Sequence, residues 1–232
     1  MVQQNKGKIF LADERGHNEV EWFRSYNTFN FGQFQREHKT PFGPLYVLND
    51  DTLAGGKSIS LTIEADTEIV LVPVVGAITY KDSMGNSNII EAGECQVYTA
   101  PKDTVIHIGN PYDNELVNFL QLWFYKKCDV LRSPQLIPFD IINSKNKLVP
   151  VPVSNTPFKY GIGKYAGRQE SLYQLSNTGN GLFAFVIQGA FEVQYRLLHP
   201  RDGLALWEAD AVEWEALSND AIIFIVEIPL CA

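Results

Sequence analysis

Polar and apolar residues alternate in short runs along most of this chain. Ser58-Ile-Ser-Leu-Thr-Ile63 switches character at every position, the period-2 pattern of a strand with one buried face. Glu68-Ile-Val-Leu-Val-Pro-Val-Val75 is apolar and largely β-branched after its first residue, which predicts a buried strand. Pro73 within it has no N–H to donate and must fall at a bulge or an edge. Further strands are predicted at Gln96–Thr99, Thr104–Ile108, Leu116–Tyr125, Leu182–Ile187, Ala190–Tyr195, Leu204–Trp207, Val212–Ala216 and Ala221–Ile228. A helical turn is expected only at Asn18–Ser25 and Gly32–His38. Met84-Gly85-Asn86, Asn177-Thr-Gly-Asn-Gly181 and Pro200-Arg-Asp-Gly203 read as turns between strands. Many short strands with glycine-rich turns predict an all-β sandwich or barrel.

The pattern also repeats. Val74-Val-Gly76-Ala-Ile-Thr79 returns as Ile187-Gln-Gly189-Ala-Phe-Glu192, and Gly93 has a counterpart in Gly203 at nearly the same offset. Two similar β-barrels in tandem would produce this. Residues 133–157 are proline-rich and weakly periodic, which predicts a surface connector. That leaves residues 1–132 for an N-terminal barrel and 158–232 for a C-terminal one.

Composition narrows the class of partner. With 45% hydrophobic, 20% charged and 12% aromatic residues, the 232-residue chain has a globular balance with a raised aromatic share. Nineteen Lys and Arg against 27 Asp and Glu give a formal net charge of −8. That is the wrong sign for wrapping a phosphate backbone, so no direct nucleic-acid partner is expected. The apolar runs are far shorter than the ~20 residues of a membrane span, and no membrane association is expected. The first residues, Met-Val-Gln-Gln-Asn-Lys-Gly-Lys, lack the apolar core of a signal peptide, so a cytoplasmic location is expected. Cys95, Cys128 and Cys231 are too few and too widely spaced for a disulfide framework or a CxxC metal site. Each reads as a small buried hydrophobe.

From Gly56 onward the spacing resembles the cupin superfamily. Gly56, Thr62-Ile-Glu64, Glu68 and Gly76 keep the intervals of the first cupin motif, while Pro101-Lys-Asp103, Ile106 and Asn110 keep those of the second. Over roughly residues 15–125 the chain more specifically resembles the pirin family of bicupins. The matching segments are Arg15-Gly16-His17, Trp22, Tyr26-Asn-Thr28-Phe29-Asn-Phe31, Phe42-Gly-Pro-Leu-Tyr-Val-Leu-Asn49-Asp-Asp51, Glu68-Ile69, Asp82-Ser-Met-Gly-Asn86 and Phe119-Leu-Gln121-Leu-Trp123. Gly181–Val193 and Ala221–Pro229 resemble the family's C-terminal barrel. The resemblance implies two tandem jelly-roll-type cupin barrels. It also implies one iron in the N-terminal barrel, held by three histidines and a glutamate. Some members are quercetin 2,3-dioxygenases and others transcriptional cofactors.

Carried over by position, the four ligands fall on Thr62, Glu64, Ile106 and Ile108. Isoleucine offers no lone pair, and a non-haem Fe(II) site typically uses two imidazoles and a carboxylate. No metal, no cofactor and no catalytic residue is therefore expected. Spacing and resemblance together predict that these four positions converge in the first barrel, with Ser60 on the same strand face and Tyr80 as a wall. The result would be a metal-free pocket with an apolar floor and one carboxylate for orienting a small ligand. The alternatives are a barrel packed shut, and metal-independent catalysis with Glu64 as general acid or base and Tyr80 as its partner.

His107, between two inward residues, should point outward unless a bulge turns it. His17 is expected to support a turn, and His38 and His199 to lie in solvated loops. Trp22, Phe23, Tyr26, Phe29, Phe31 and Phe34 are predicted to pack as an N-terminal arm across the barrel. Trp207–Glu215 alternates apolar and acidic residues, as a half-exposed strand would. The expected function is that of a pirin-like bicupin with a degenerate metal site, binding an unknown small molecule or a protein partner. The rivals are a quercetin 2,3-dioxygenase-like oxygenase with an unusual ligand set and a regulator acting through its outer surface.

Overall fold

The computed structural model of the protein describes residues 5–126 and 132–230. Among these residues the chain forms twenty-one strands, one 3₁₀ turn at Ala12–Glu14 and no α-helix. The first strands are β1 (Lys6–Phe10), β2 (Gly16–Val20), β3 (Phe23–Asn27), β4 (Leu45–Leu53), β5 (Ser58–Thr62), β6 (Thr67–Val75) and β7 (Ala77–Asp82). They are followed by β8 (Ser87–Glu91), β9 (Glu94–Ala100), β10 (Val105–Gly109), β11 (Val117–Tyr125), β12 (Gln135–Pro138), β13 (Lys147–Val151) and β14 (Lys159–Tyr165). The last are β15 (Glu170–Gln174), β16 (Asn180–Gln188), β17 (Phe191–Val193), β18 (Arg196–Leu198), β19 (Gly203–Trp207), β20 (Ala211–Ala216) and β21 (Ala221–Pro229).

Neither helical turn forms. Asn18–Ser25 is the β2–β3 hairpin, in which pairing from Gly16–Asn27 to Val20–Phe23 satisfies backbone groups that one isolated helical turn would leave open. Gly32 and Gln33 sit in a tight turn closed by mutual backbone hydrogen bonds between Phe31 and Phe34.

Two compact units result, one from Gly16–Pro138 and the other from residues up to Arg15 together with those from Phe139 onward. The first holds a seven-stranded sheet, β12-β9-β6-β11-β4-β3-β2, and a four-stranded sheet, β5-β10-β7-β8. Its core includes Val47, Ile69, Leu71 and Phe119 from the larger sheet and Ile78, Tyr80, Ile106 and Ile108 from the smaller. The second repeats the plan with β1-β19-β16-β21-β14-β13 and β15-β20-β17-β18. The sequence repeat has a conformational basis. Gly76 after β6 and Gly189 after β16 both turn the chain with left-handed φ, +77° and +73°, which a side chain resists. Pro73 lies opposite Phe119 beside the register shift of the β6–β11 pair, at a bulge as its missing N–H requires.

The Asp82–Asn86 turn is built around one carboxylate. Asp82 accepts from the Met84 and Asn86 amides at 3.0 and 2.9 Å, from Asn86 Nδ2 at 2.8 Å and from Tyr80 Oη at 2.7 Å. Cys95 is buried, which pushes its thiol up to about 12; Cys128 and Cys231 lie outside the described residues.

The unit boundaries differ from those read along the chain. β1 pairs with β19, from Lys6–Trp207 to Phe10–Gly203, so residues 5–15 go with the second unit rather than with an N-terminal barrel of 1–132. The expected connector 133–157 also supplies edge strands, β12 to the first unit and β13 to the second. Phe10 anchors β1, with its ring centroid 5.7 Å from that of Phe183, and the Ala12 amide donates to Asp202 Oδ1 at 2.7 Å. Phe10→Ala should therefore cost about 3–5 kcal/mol in the second unit. In hydrogen-exchange mass spectrometry it should speed exchange in β16 and β19 and leave β4 and β11 unchanged. Equal protection of β19 in both proteins would show that β1 does not hold the sheet.

Candidate functional site

In the first unit β5 and β10 pair antiparallel, with Ile106 opposite Leu61, His107 opposite Ser60 and Ile108 opposite Ile59. Cross-strand partners share a face. Ile106 and Ile108 are fully buried and look into the core with Ile59, Ile63 and Tyr80. Ser60, Thr62, Glu64 and His107 are exposed on the other face. The four positions expected to surround one point are thus split between two faces. The register joins odd positions of β5 to even positions of β10, so Thr62 cannot share a side with Ile106 and Ile108, and Glu64, just beyond β5, is exposed.

On the outer face Ser60 Oγ and His107 Nδ1 meet at 2.6 Å. Tyr80 is buried with its ring centroid 4.9 Å from that of Tyr98, and burial holds its phenol well above the usual range. It lies across the sheet from Glu64, so the two do not form an acid–base pair. Glu68, from the first cupin motif, is fully buried with Lys126 Nζ at 2.8 Å and Arg132 Nη1 at 3.3 Å. His17 stands on a strand rather than supporting a turn. Its ring stacks on Tyr26 at 4.8 Å, and Nε2 lies 3.0 Å from Glu19.

The opening in this unit lies beside β5, where a cavity of about 720 Å³ has aromatic walls from Trp22, Phe23, Phe31 and Phe34. These four face the cavity; of the other two aromatics, Phe29 is buried and Tyr26 lies under His17. The floor is polar. Ser25 and Asn27 on β3, Asn49 and Asp51 on β4, and Gln121 on β11 all line the cavity, and each is at most 4% exposed. They sit on adjacent strands, with Ser25 opposite Asp51 and Asn49 between Asn27 and Gln121.

Asn27 Nδ2 donates to Ser25 Oγ at 3.0 Å and to Asn49 Oδ1 at 2.8 Å, and Gln121 Nε2 donates to Asp51 Oδ2 at 2.5 Å. Asp51 Oδ1 and Gln121 Oε1 are buried without a hydrogen-bond partner among the described residues. Burial pushes the Asp51 carboxyl up to about 7, against the lowering effect of Ser25 and Gln121 and with a further rise from Asp50. Such a patch can accept hydrogen bonds from a bound molecule and hold or release a proton near neutrality. Inward-facing polar residues within otherwise apolar strands, in Val47-Leu-Asn49-Asp-Asp51-Thr-Leu53 and Phe119-Leu-Gln121-Leu-Trp123, are the signal that marks it.

Residues 10–124 match the family model described as Pirin, and residues 161–227 match the quercetinase C-terminal cupin domain. The chain belongs to the pirin family. It is 24% identical over 225 residues to the quercetin 2,3-dioxygenase of Escherichia coli K12, spanning 94% of this chain and 96% of that protein. The fold matches the crystal structure of YhhW from Escherichia coli with a TM-score of 0.85 at 21% identity, over 97% of this chain and 99% of that one. A structure of the same bacterial pirin in complex with nickel(II) matches at 0.82 with 20% identity, over 97% of this chain and all of that one.

The four positions carried over from the family do not hold three histidines and a glutamate in this chain; they are Thr62, Glu64, Ile106 and Ile108. Ile106 and Ile108 are aliphatic and buried, whereas Thr62 and Glu64 are exposed. Among the described residues no three His, Cys, Asp or Glu side chains are grouped to hold a metal ion.

Asp51 gives the site a pH signature. A carboxyl that titrates at about 7 when folded and at about 4 when unfolded keeps, between those values, a proton that the unfolded chain has lost. Stability therefore falls as pH rises through that window, by an amount on the order of 4 kcal/mol, and the penalty is complete above 7. Urea unfolding of wild type and Asp51→Asn across pH 4.5–8 should show this decline in wild type and a flatter profile in the variant. Parallel profiles would assign the pH dependence to other groups.

Proposed function

We propose that this pirin-family protein is a bicupin whose N-terminal barrel binds a small organic molecule without a metal, and that it does not carry out metal-dependent quercetin cleavage. The cavity with two unpartnered acceptors, Asp51 Oδ1 and Gln121 Oε1, carries this reading. Leaving a buried acceptor unpaired costs about 1–3 kcal/mol, and a ligand that donates to it removes that cost. The split of Thr62 and Glu64 from Ile106 and Ile108 supports the absence of a pirin-type metal centre.

Two measurements test this. Untagged protein, before and after anaerobic loading with Fe(II) or Ni(II), should hold well under one equivalent of metal and should not consume quercetin. Stoichiometric metal with turnover that scales with it would establish the oxygenase instead. The combined variant Thr62→His, Glu64→His, Ile106→His, Ile108→Glu should gain no metal-dependent rise in melting temperature, because its new donors lie on two faces. Its inward pair should lower stability by several kcal/mol, the cost of burying unpaired polar groups. A clear thermal shift with Ni(II) would mean that the four positions do converge.

A further inference from the structure

The floor of this cavity holds two buried acceptors that its own network leaves unsatisfied. Both amide hydrogens of Asn27 and one of Gln121 are used within the network, and Asp51 Oδ1 and Gln121 Oε1 remain as buried acceptors without a partner among the described residues. A molecule that satisfies them must bring N–H or O–H donors. Among the described residues no lysine or arginine lines the cavity, so an ionised Asp51 has no fixed counter-charge from them. Burying a carboxylate without a counter-charge is costly, whereas pairing it with a cation that also donates two hydrogen bonds offsets that cost. The walls add a third requirement. Trp22, Phe23, Phe31 and Phe34 offer flat apolar faces, and aromatic rings are favoured partners for other rings and for delocalised cations.

From these three constraints we infer that the cavity takes a flat aromatic amidine, a ring bearing adjacent N–H donors and a positive charge, as protonated amino-substituted nitrogen heterocycles do. The inference rests on the reading of this site as a binding pocket and adds the class of ligand. Phenols and polyols satisfy the acceptors but leave the carboxylate uncompensated. An amidinium satisfies the acceptors and supplies the counter-charge. The titratable groups around the site are few. Asp50 is adjacent on β4, and His17 on β2 is the other titratable side chain lining the cavity. A carboxyl that titrates at about 7 makes affinity for a permanent cation rise with pH, by about tenfold between pH 6 and 8.

The test is calorimetric titration of the full chain with benzamidine, a flat amidinium that stays protonated over this range, against benzamide, catechol and quercetin. Benzamidine should bind at least tenfold more tightly than benzamide, and more tightly at pH 8 than at pH 6. Asp51→Asn should remove both the preference and the pH effect, while His199→Gln, at an exposed position of the second unit, should keep them. Trp22→Ala, at a partly exposed wall residue, should weaken benzamidine severalfold and covers the case in which Asp51→Asn fails to fold. Equal binding of benzamidine and benzamide, a preference that survives Asp51→Asn, or no benzamidine binding overturns the inference. Catechol or quercetin binding in benzamidine's place overturns the amidine class but leaves the binding-pocket reading standing. Metal-dependent quercetin turnover removes that reading as well.

Discussion

Side chains on a strand alternate between faces, so one cross-strand pair sets the direction of all the others. Between β5 and β10 that pair is Ile108 with Ile59. It turns Ile59 and Ile63 into the core, each contributing about 1.5–3 kcal/mol by burial, and it keeps Glu64 in water. A slip of one residue would expose those isoleucines and bury the Glu64 carboxylate, two costs of the same sign. The smaller sheet of the first unit therefore presents an aliphatic inner face. Polar chemistry inside the barrel is left to the opposite wall, on β3, β4 and β11.

That division gives meaning to three buried carboxylates that the protein treats differently. Glu68 is matched by two cations, Lys126 and Arg132. Glu227, in the second unit, has no cation partner among the described residues. Against the rise from burial it accepts from Tyr173 Oη at 2.6 Å, the Ser176 hydroxyl at 2.5 Å, the Ser176 amide at 2.8 Å and Asn180 Nδ2 at 2.6 Å. These donors outweigh desolvation and hold Glu227 below the usual glutamate range. Asp51 receives less, and burial dominates. Glu68 and Glu227 are satisfied by their own unit, as structural carboxylates are. Asp51 is left under-served at the floor of a cavity, where an added molecule can complete its shell.

Most strands were legible because their cause is local. Alternation in Ser58–Ile63, the unbroken apolar run after Glu68 and the paired glycines at 76 and 189 all map onto observed elements. The site was less legible, for an instructive reason. The alternation of Ser58-Ile-Ser-Leu-Thr-Ile63 already puts the isoleucines inside and Thr62 outside. Carrying ligand positions over from the resemblance placed Thr62 and Glu64 inside, against that pattern, and the pattern was the better guide. Asn49, Asp51 and Gln121 were visible as matching residues, but their role emerges only when three strands bring them together. The docking of β1 has no local signature, because its partner is roughly two hundred residues away.

That separation has a consequence for how the protein is made. β1 is synthesised before its partner β19, which follows only after the entire Gly16–Pro138 unit and much of the second unit. At about 5–20 residues per second, the strand waits roughly 10–40 s for its place in a sheet. During that interval it is an unpaired edge, the kind of segment that recruits unwanted strands. Its sequence, Lys6-Gly-Lys8-Ile-Phe10, puts two lysines ahead of its two apolar residues, and charge on an exposed strand discourages such pairing. The second unit is thus discontinuous in time as well as in sequence: its sheet is completed by joining β1 to a strand made roughly two hundred residues later.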